Sequence, residues 1–152
     1  MTQAAVSAQL NEAEVRAMVL DWYEKLDVHA PMVDILPLLV PDNLYMKFPE
    51  VTFTSLQGFE GWYQRVIRTF FDEVHTMKEL NVKISADGAK ADINLVVHWE
   101  ASVWTPGDRF SKRIKMDAVQ SWIVVPSPVT GKPAVQSYSV DDLIFEPDSA
   151  KL

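Results

Sequence analysis

The chain of 152 residues contains no cysteine, which excludes disulfides and thiolate metal sites and leaves the redox compartment open. Positive charge is also short: 14 Lys and Arg stand against 21 Asp and Glu, for a net charge of −7. A chain this acidic, with a pI of about 4.9, lacks the basic face that nucleic-acid phosphates or an anionic membrane surface would need, so neither is expected as a partner. No run of about 18 apolar residues occurs, and "MTQAAVSAQLNEAEV" has neither the basic start nor the apolar stretch of a signal peptide. A cytoplasmic protein is the expectation. Histidine is scarce too. The three, His29, His75 and His98, show no metal-ligand spacing, and no metal or other cofactor is expected. Internal repeats, low-complexity runs and linkers are missing, so residues 1–152 read as one domain with a core from about 11 to 145.

What is present is an ordinary globular composition, 48% apolar and 11% aromatic with five Trp, long enough to bury a substantial core. Asn11 with Glu14 three residues on resembles a capping box. Val15, Met18, Val19, Trp22, Tyr23 and Leu26 then recur at helical spacing and make one apolar stripe. "PMVDILPLL" reads as a short second helix opened by Pro31 and interrupted at Pro37. "LYMKF" and "VTFTS" read as a short strand and an edge segment. After Gly58, Phe59, Trp62, Tyr63, Val66, Ile67, Phe70, Phe71 and Val74 keep a helical period. This puts His75 in the last turn, where a histidine meets the negative end of the macrodipole.

Beyond His75 the period becomes two. "MKELNVKIS" leads to the turn "ADGAK", a hairpin signal at Asp87-Gly88. "ADINLVVHWEASVW", "FSKRIKMDAVQSWIVV" and "AVQSYSVDDLIF" are long strands, and the tail "EPDSAKL" reads as frayed. Helices first and strands after them indicate an α+β fold with the helices on one face of an antiparallel sheet. Charge sets the register of the two longest strands: Ser102 faces Arg113, Glu100 faces Lys115 and His98 faces Asp117, each charge pair contributing about 0.2–1 kcal/mol. The opposite face is then apolar except for Lys112 near the turn and Gln120 well inside. A buried amide without partners costs about 1–3 kcal/mol, so Gln120 has either a backbone or water contact or a place in a small-molecule site.

This order of elements, with "FFDEVHTMKELNVKISADGAKADINLVV" at its centre, resembles the SnoaL-like branch of the nuclear transport factor 2-like superfamily. The resemblance runs from about Asn11 to Phe145. It implies a cystatin-like cone, in which a curved antiparallel sheet wraps a long helix, with two further N-terminal helices and a pocket between sheet and helices. That superfamily includes ketosteroid isomerase, scytalone dehydratase, polyketide cyclases and non-catalytic modules, so fold does not decide function. The ketosteroid isomerase pattern is broken here: Phe48 stands where the Asp base would be, Trp22 (beside Tyr23) where the Tyr would be, and Ala118 at the second Asp. His75 matches the position from which scytalone-dehydratase-like relatives point a histidine into the pocket, where it could act as acid or base near neutrality.

Three functions are open to such a chain. The first is a pocket protein that binds a small apolar or aromatic molecule, with Trp22, Tyr23, Trp62, Trp99, Met116, Gln120 and Tyr138 as the expected ligand-binding residues. The second is a cofactor-independent isomerase, cyclase or dehydratase with His75 as general acid/base and Asp27 as its partner; a turn Asp bonding its own backbone is the plainer reading of Asp27. The third is a dimerisation module with a filled cone. The resemblance also implies a homodimer through the outer sheet face, where Val96, Trp104 and Val119 supply apolar area beside Glu100, Lys115 and Asp117.

Overall fold

The computed structural model describes residues 8–152; the first seven, where the stretch read for a leader begins, lie outside them. Helix α1 (Glu12–Asp27) opens at Asn11, whose Oδ1 accepts the Glu14 N–H at 2.9 Å. Glu12 and Glu14 face the positive end of its macrodipole. The six stripe residues are all buried. The helix ends in a Schellman turn: the Ala30 N–H donates to Lys25 O and the His29 N–H to Leu26 O, with His29 in the left-handed region at φ 51°. Pro31 starts α2 (Met32–Ile35), and Pro37 tightens the next residues into a single 3₁₀ turn, Leu36–Leu38.

The remaining elements are β1 (Tyr45–Lys47), β2 (Thr52–Phe53), α3 (Leu56–Thr69), β3 (Phe70–Ile84), β4 (Ala91–Val103), β5 (Lys112–Pro126) and β6 (Pro133–Phe145). The six strands form one sheet in the order β2-β1-β6-β5-β4-β3, antiparallel except for β1 against β6. Along β4 and β5 the register is the one charge dictates, with His98 opposite Asp117, Glu100 opposite Lys115 and Ser102 opposite Arg113. Register shifts at Phe71/Val74, Met77/Glu79, Val119/Gln120 and Ile123/Val124 bend the strands and raise their twist. The inner face packs on α1 around Trp22, whose ring lies 5.7 Å from Phe59, 6.0 Å from Trp122 and 5.7 Å from Tyr138. None of the helices is long and apolar enough to cross a membrane among the described residues.

Two expectations are corrected. Helix α3 stops at Thr69, so His75 is not in a helical turn but inside β3, opposite Trp99. Phe70, Phe71 and Val74 mimic a helical period because a strand bulge at Asp72 and Glu73, with Asp72 at φ 51°, shifts the alternation. The tail is not frayed as far as Ala150. Its Glu146 and Ala150 N–H groups donate to Lys115 O and Arg113 O, and Ser149 Oγ accepts the Lys115 N–H at 2.7 Å.

Candidate functional site

The buried apolar residues fall into two clusters, a large one around Trp22 and a small one of Trp99, Ala101, Ile114 and Met116. A cavity of about 330 Å³ is lined from both, a size within the range of small-molecule sites. Its wall is largely apolar, with the aromatic rings of Phe48, Trp62, Phe70, Trp99 and Tyr138 among aliphatic residues such as Val97, Met116 and Leu143. Phe48 and Trp62 stack at 3.9 Å, and the Trp62 N–H donates to Glu50 Oε1. Exposed Pro49, Glu50, Arg65, Thr69 and Leu152 mark where the cavity opens. Inside it are His75, Gln120 and Glu73.

The His75 side chain is only 9% exposed, and its Nδ1 lies 2.6 Å from Asp27 Oδ1. The other Asp27 oxygen accepts the His75 backbone N–H at 3.2 Å, so one carboxylate fixes both the ring and the strand that carries it. Tyr23 at 4.8 Å and Trp99 at 6.2 Å hold the ring plane. An ionised carboxylate only accepts, which puts a proton on Nδ1 and makes Nε2 the basic nitrogen of the neutral ring. Asp27 is the last residue of α1, where a negative charge opposes the macrodipole; helix stability alone would not select it.

Gln120 is oriented just as firmly. Its Oε1 accepts from Tyr23 Oη at 3.0 Å and from Trp122 Nε1 at 2.9 Å. An indole N–H can only donate, so the oxygen assignment is forced and the amide NH₂ is left as a donor at the cavity. Burial pushes the Tyr138 phenol up to about 12 and the Tyr23 phenol well above its ordinary value. Both stay protonated at neutral pH.

Glu73 sits behind the bulge with its side chain 3% exposed. Oε1 accepts from Trp99 Nε1 at 3.1 Å, and Oε2 lies 2.5 Å from His29 Nε2. On the far side, Asp27, His29, Asp72, Glu73 and Arg113 line an open outer cleft. The Tyr63 hydroxyl, pushed to about 12 by burial and then by the Glu73 charge, donates to Ala30 O at 2.6 Å and ties the His29 turn to α3.

Of the residues expected from sequence, His75, Trp62, Trp99, Met116, Gln120 and Tyr138 line the cavity. Trp22 and Tyr23 do not. Trp22 is wholly buried in the main core, and Tyr23 stands behind His75 and Gln120, supporting both. Asp27 pairs with His75 rather than with its own turn. Phe48 and Ala118 also line the wall, in place of the two carboxylates of the ketosteroid isomerase pattern. Glu73 and the partnership of His29 escaped the sequence reading. Starting the strand at Phe70 would have put Glu73 and His75, two apart, on one face. No group of His, Asp and Glu among the described residues could hold a metal ion.

The same architecture occurs in solved structures. A protein of unknown function with a cystatin-like fold from Nostoc punctiforme superposes with a TM-score of 0.68 at 12% identity, over 100% of both chains. The fold is cystatin-like. Similar cystatin-like cones include a candidate scytalone dehydratase from Novosphingobium aromaticivorans, with a TM-score of 0.68 and 15% identity over 92% of this chain and 88% of that one. A hexachlorocyclohexane dehydrochlorinase from Novosphingobium barchaimii superposes at 0.70 with 12% identity over 92% of each chain. No protein-family model matches the chain, and no curated protein matches it in sequence.

Proposed function

We propose that this cystatin-like cone is a cofactor-independent acid–base enzyme acting on a small apolar or aromatic molecule, with His75 as the proton-transfer group and Asp27 as the residue that orients it. The observation that carries this is the 2.6 Å bond from His75 Nδ1 to Asp27 in a ring that also lines an apolar cavity. A histidine whose Nδ1 is bound to a carboxylate presents Nε2 in a fixed tautomer, the arrangement a general base needs. A protein that only binds its ligand has the same use for the apolar wall but none for that carboxylate. A dimerisation module has no use for the cavity. Two proteins of similar fold carry names of elimination chemistry, a dehydratase and a dehydrochlorinase, which fits a proton-abstracting histidine without fixing the substrate.

The test is hydrogen–deuterium exchange at the α-carbon of a cyclic aryl ketone in D₂O. His75→Ala should lower the catalysed rate by about 10²–10⁴-fold, the usual contribution of a general base. Asp27→Asn should lower it too, because the neutral amide no longer selects the tautomer. Circular dichroism should show both variants folded. Tight binding of the ketone with no exchange above the solvent rate would leave the binding-only reading in place.

A further inference from the structure

One face of α3 forms part of the cavity wall and its rim: Trp62, Arg65, Val66 and Thr69 recur at i, i+3, i+4 and i+7, and all four line it. Arg65 is the only lysine or arginine among the lining residues, and it is exposed at the opening. Burial alone does not select a guanidinium on a stripe shared with Trp and Val. Nor does an ion pair within the chain. Among the described residues no carboxylate comes within salt-bridge distance of Arg65, although 21 acidic side chains stand against 14 basic ones. On the outer sheet face, by contrast, Lys78, Arg113 and Lys115 all have one. Both acidic side chains of the lining are engaged elsewhere. Glu50, which shares the rim, accepts from Trp62 Nε1 at 3.0 Å, and Glu73 is held by Trp99 and His29. The side-chain N–H donors left over in the lining are the buried Gln120 amide and the Arg65 guanidinium at the opening.

A guanidinium presents a planar fork of donors that matches a carboxylate, and at a wet opening the pair forms without the cost of full desolvation. Resting on the reading of the cavity given above, we propose that Arg65 is a specificity-determining residue and that the ligand is a ketone bearing a carboxylate. Its apolar or aromatic body lies against Phe48, Trp62 and Trp99. The ketone oxygen accepts from the Gln120 NH₂ beside His75, and the carboxylate stays at the opening, where it accepts from Arg65. The charges permit only this orientation. Turned round, the ligand would bring its carboxylate toward Glu73 with water excluded, where like charges repel, and the Gln120 amide would lose the ketone.

The test is titration calorimetry with 1-tetralones that carry a carboxylate at each free position of the aromatic ring in turn, every one paired with its primary amide. In the wild-type protein at least one carboxylate should bind about fivefold or more tighter than its amide, and the preference should shrink as salt rises. Arg65→Gln should erase that preference, Arg65→Lys should keep part of it, having the charge without the fork, and Arg65→Glu should reverse it. Arg65 is exposed, so these changes do not reach the core. In the exchange assay Arg65→Gln should raise KM for the carboxylate and leave kcat close to the wild-type value, which a general structural defect would not do. Equal affinities within every pair in the wild type, or a preference that survives Arg65→Gln, would overturn this inference and leave the acid–base reading standing. A preference that depends on Arg65 in a protein without exchange activity would uphold it and overturn the acid–base reading alone. Binding of neither member of any pair would overturn the small-molecule reading of the cavity and this inference with it.

Discussion

Gln120 shows how far single residues could be read. Strand parity put it among apolar neighbours, and it lies there, but its partners Tyr23 and Trp122 come from the packing of α1 on the sheet and from its own strand. Gln120→Leu leaves a buried O–H and a buried N–H unpaired, so it should destabilise the protein by at least about 1–3 kcal/mol, as a lower urea midpoint at unchanged slope. His98 belongs to the outer face. Its hydrogen bond to Asp117 at 2.7 Å raises its pKa first, with help from Glu100 at 3.0 Å and some opposition from burial. Asp117 is lowered chiefly by Lys78, and Glu100 chiefly by His98. A raised histidine contributes stability that is complete below its unfolded value of about 6.5 and is lost as pH rises through the folded one. Lowered carboxylates contribute above their unfolded values of about 4 and lose it as pH falls through the folded ones. Stability from this cluster should therefore be greatest between about pH 4 and 6.5. Unfolding titrations should show it falling on the alkaline side, and His98→Gln should flatten that fall.

Among the elements, α3 and β3 carry most of what the sequence concealed. Apolar spacing cannot distinguish a helix that continues to Val74 from one that stops at Thr69 before a bulged strand, because the bulge restores the offset that alternation would remove. Pairing with β4 decides it: from Phe70 on, backbone groups of β3 are bonded across to the next strand. The glycines of α3 offer a sharp comparison. A Cβ at Gly58 would fall 2.6 Å from Phe53 Cβ, whereas one at Gly61 meets nothing within 4 Å. Gly61→Ala should stabilise by about 0.5–1 kcal/mol through helix propensity. Gly58→Ala should instead destabilise by about 1–3 kcal/mol, since α3 must move off β2. Thermal melts of the two variants should shift in opposite directions. A gain at Gly58 would mean that α3 is not held closely against Phe53.

At the scale of the whole molecule, the outer sheet face bears on assembly. We propose a homodimer through this face. Val96 and Val119 lie on it half-buried, and Trp104 is 51% exposed at its end. The charges between them are already paired within one chain: Lys78 with Asp117, Arg113 with Glu100, Lys115 with Asp148. A second copy would thus meet a neutralised surface rather than bare ions, with the exposed Trp104 indole as apolar area to cover. Sedimentation at micromolar concentration should give about 34 kDa, twice the chain mass of 17.2 kDa, and Trp104→Glu should shift it toward the single-chain value. A clean wild-type monomer would end the idea.

The sequence by itself determined what depends on near neighbours and on parity: the Asn11 cap, the stripe of α1, the hairpin at Gly88, the register of β4 on β5 and the inward face of Gln120. Each is set by a spacing of a few residues or by alternation, and both survive any arrangement in space. The resemblance supplied the cone and the inward histidine. What only the tertiary structure decided is the company His75 keeps. Asp27 and Glu73 are 48 and two residues from it along the chain, and neither distance announces a site. The first becomes a hydrogen bond when the end of α1 docks on β3. The second becomes a shared cavity wall when a left-handed residue at Asp72 turns Glu73 inward.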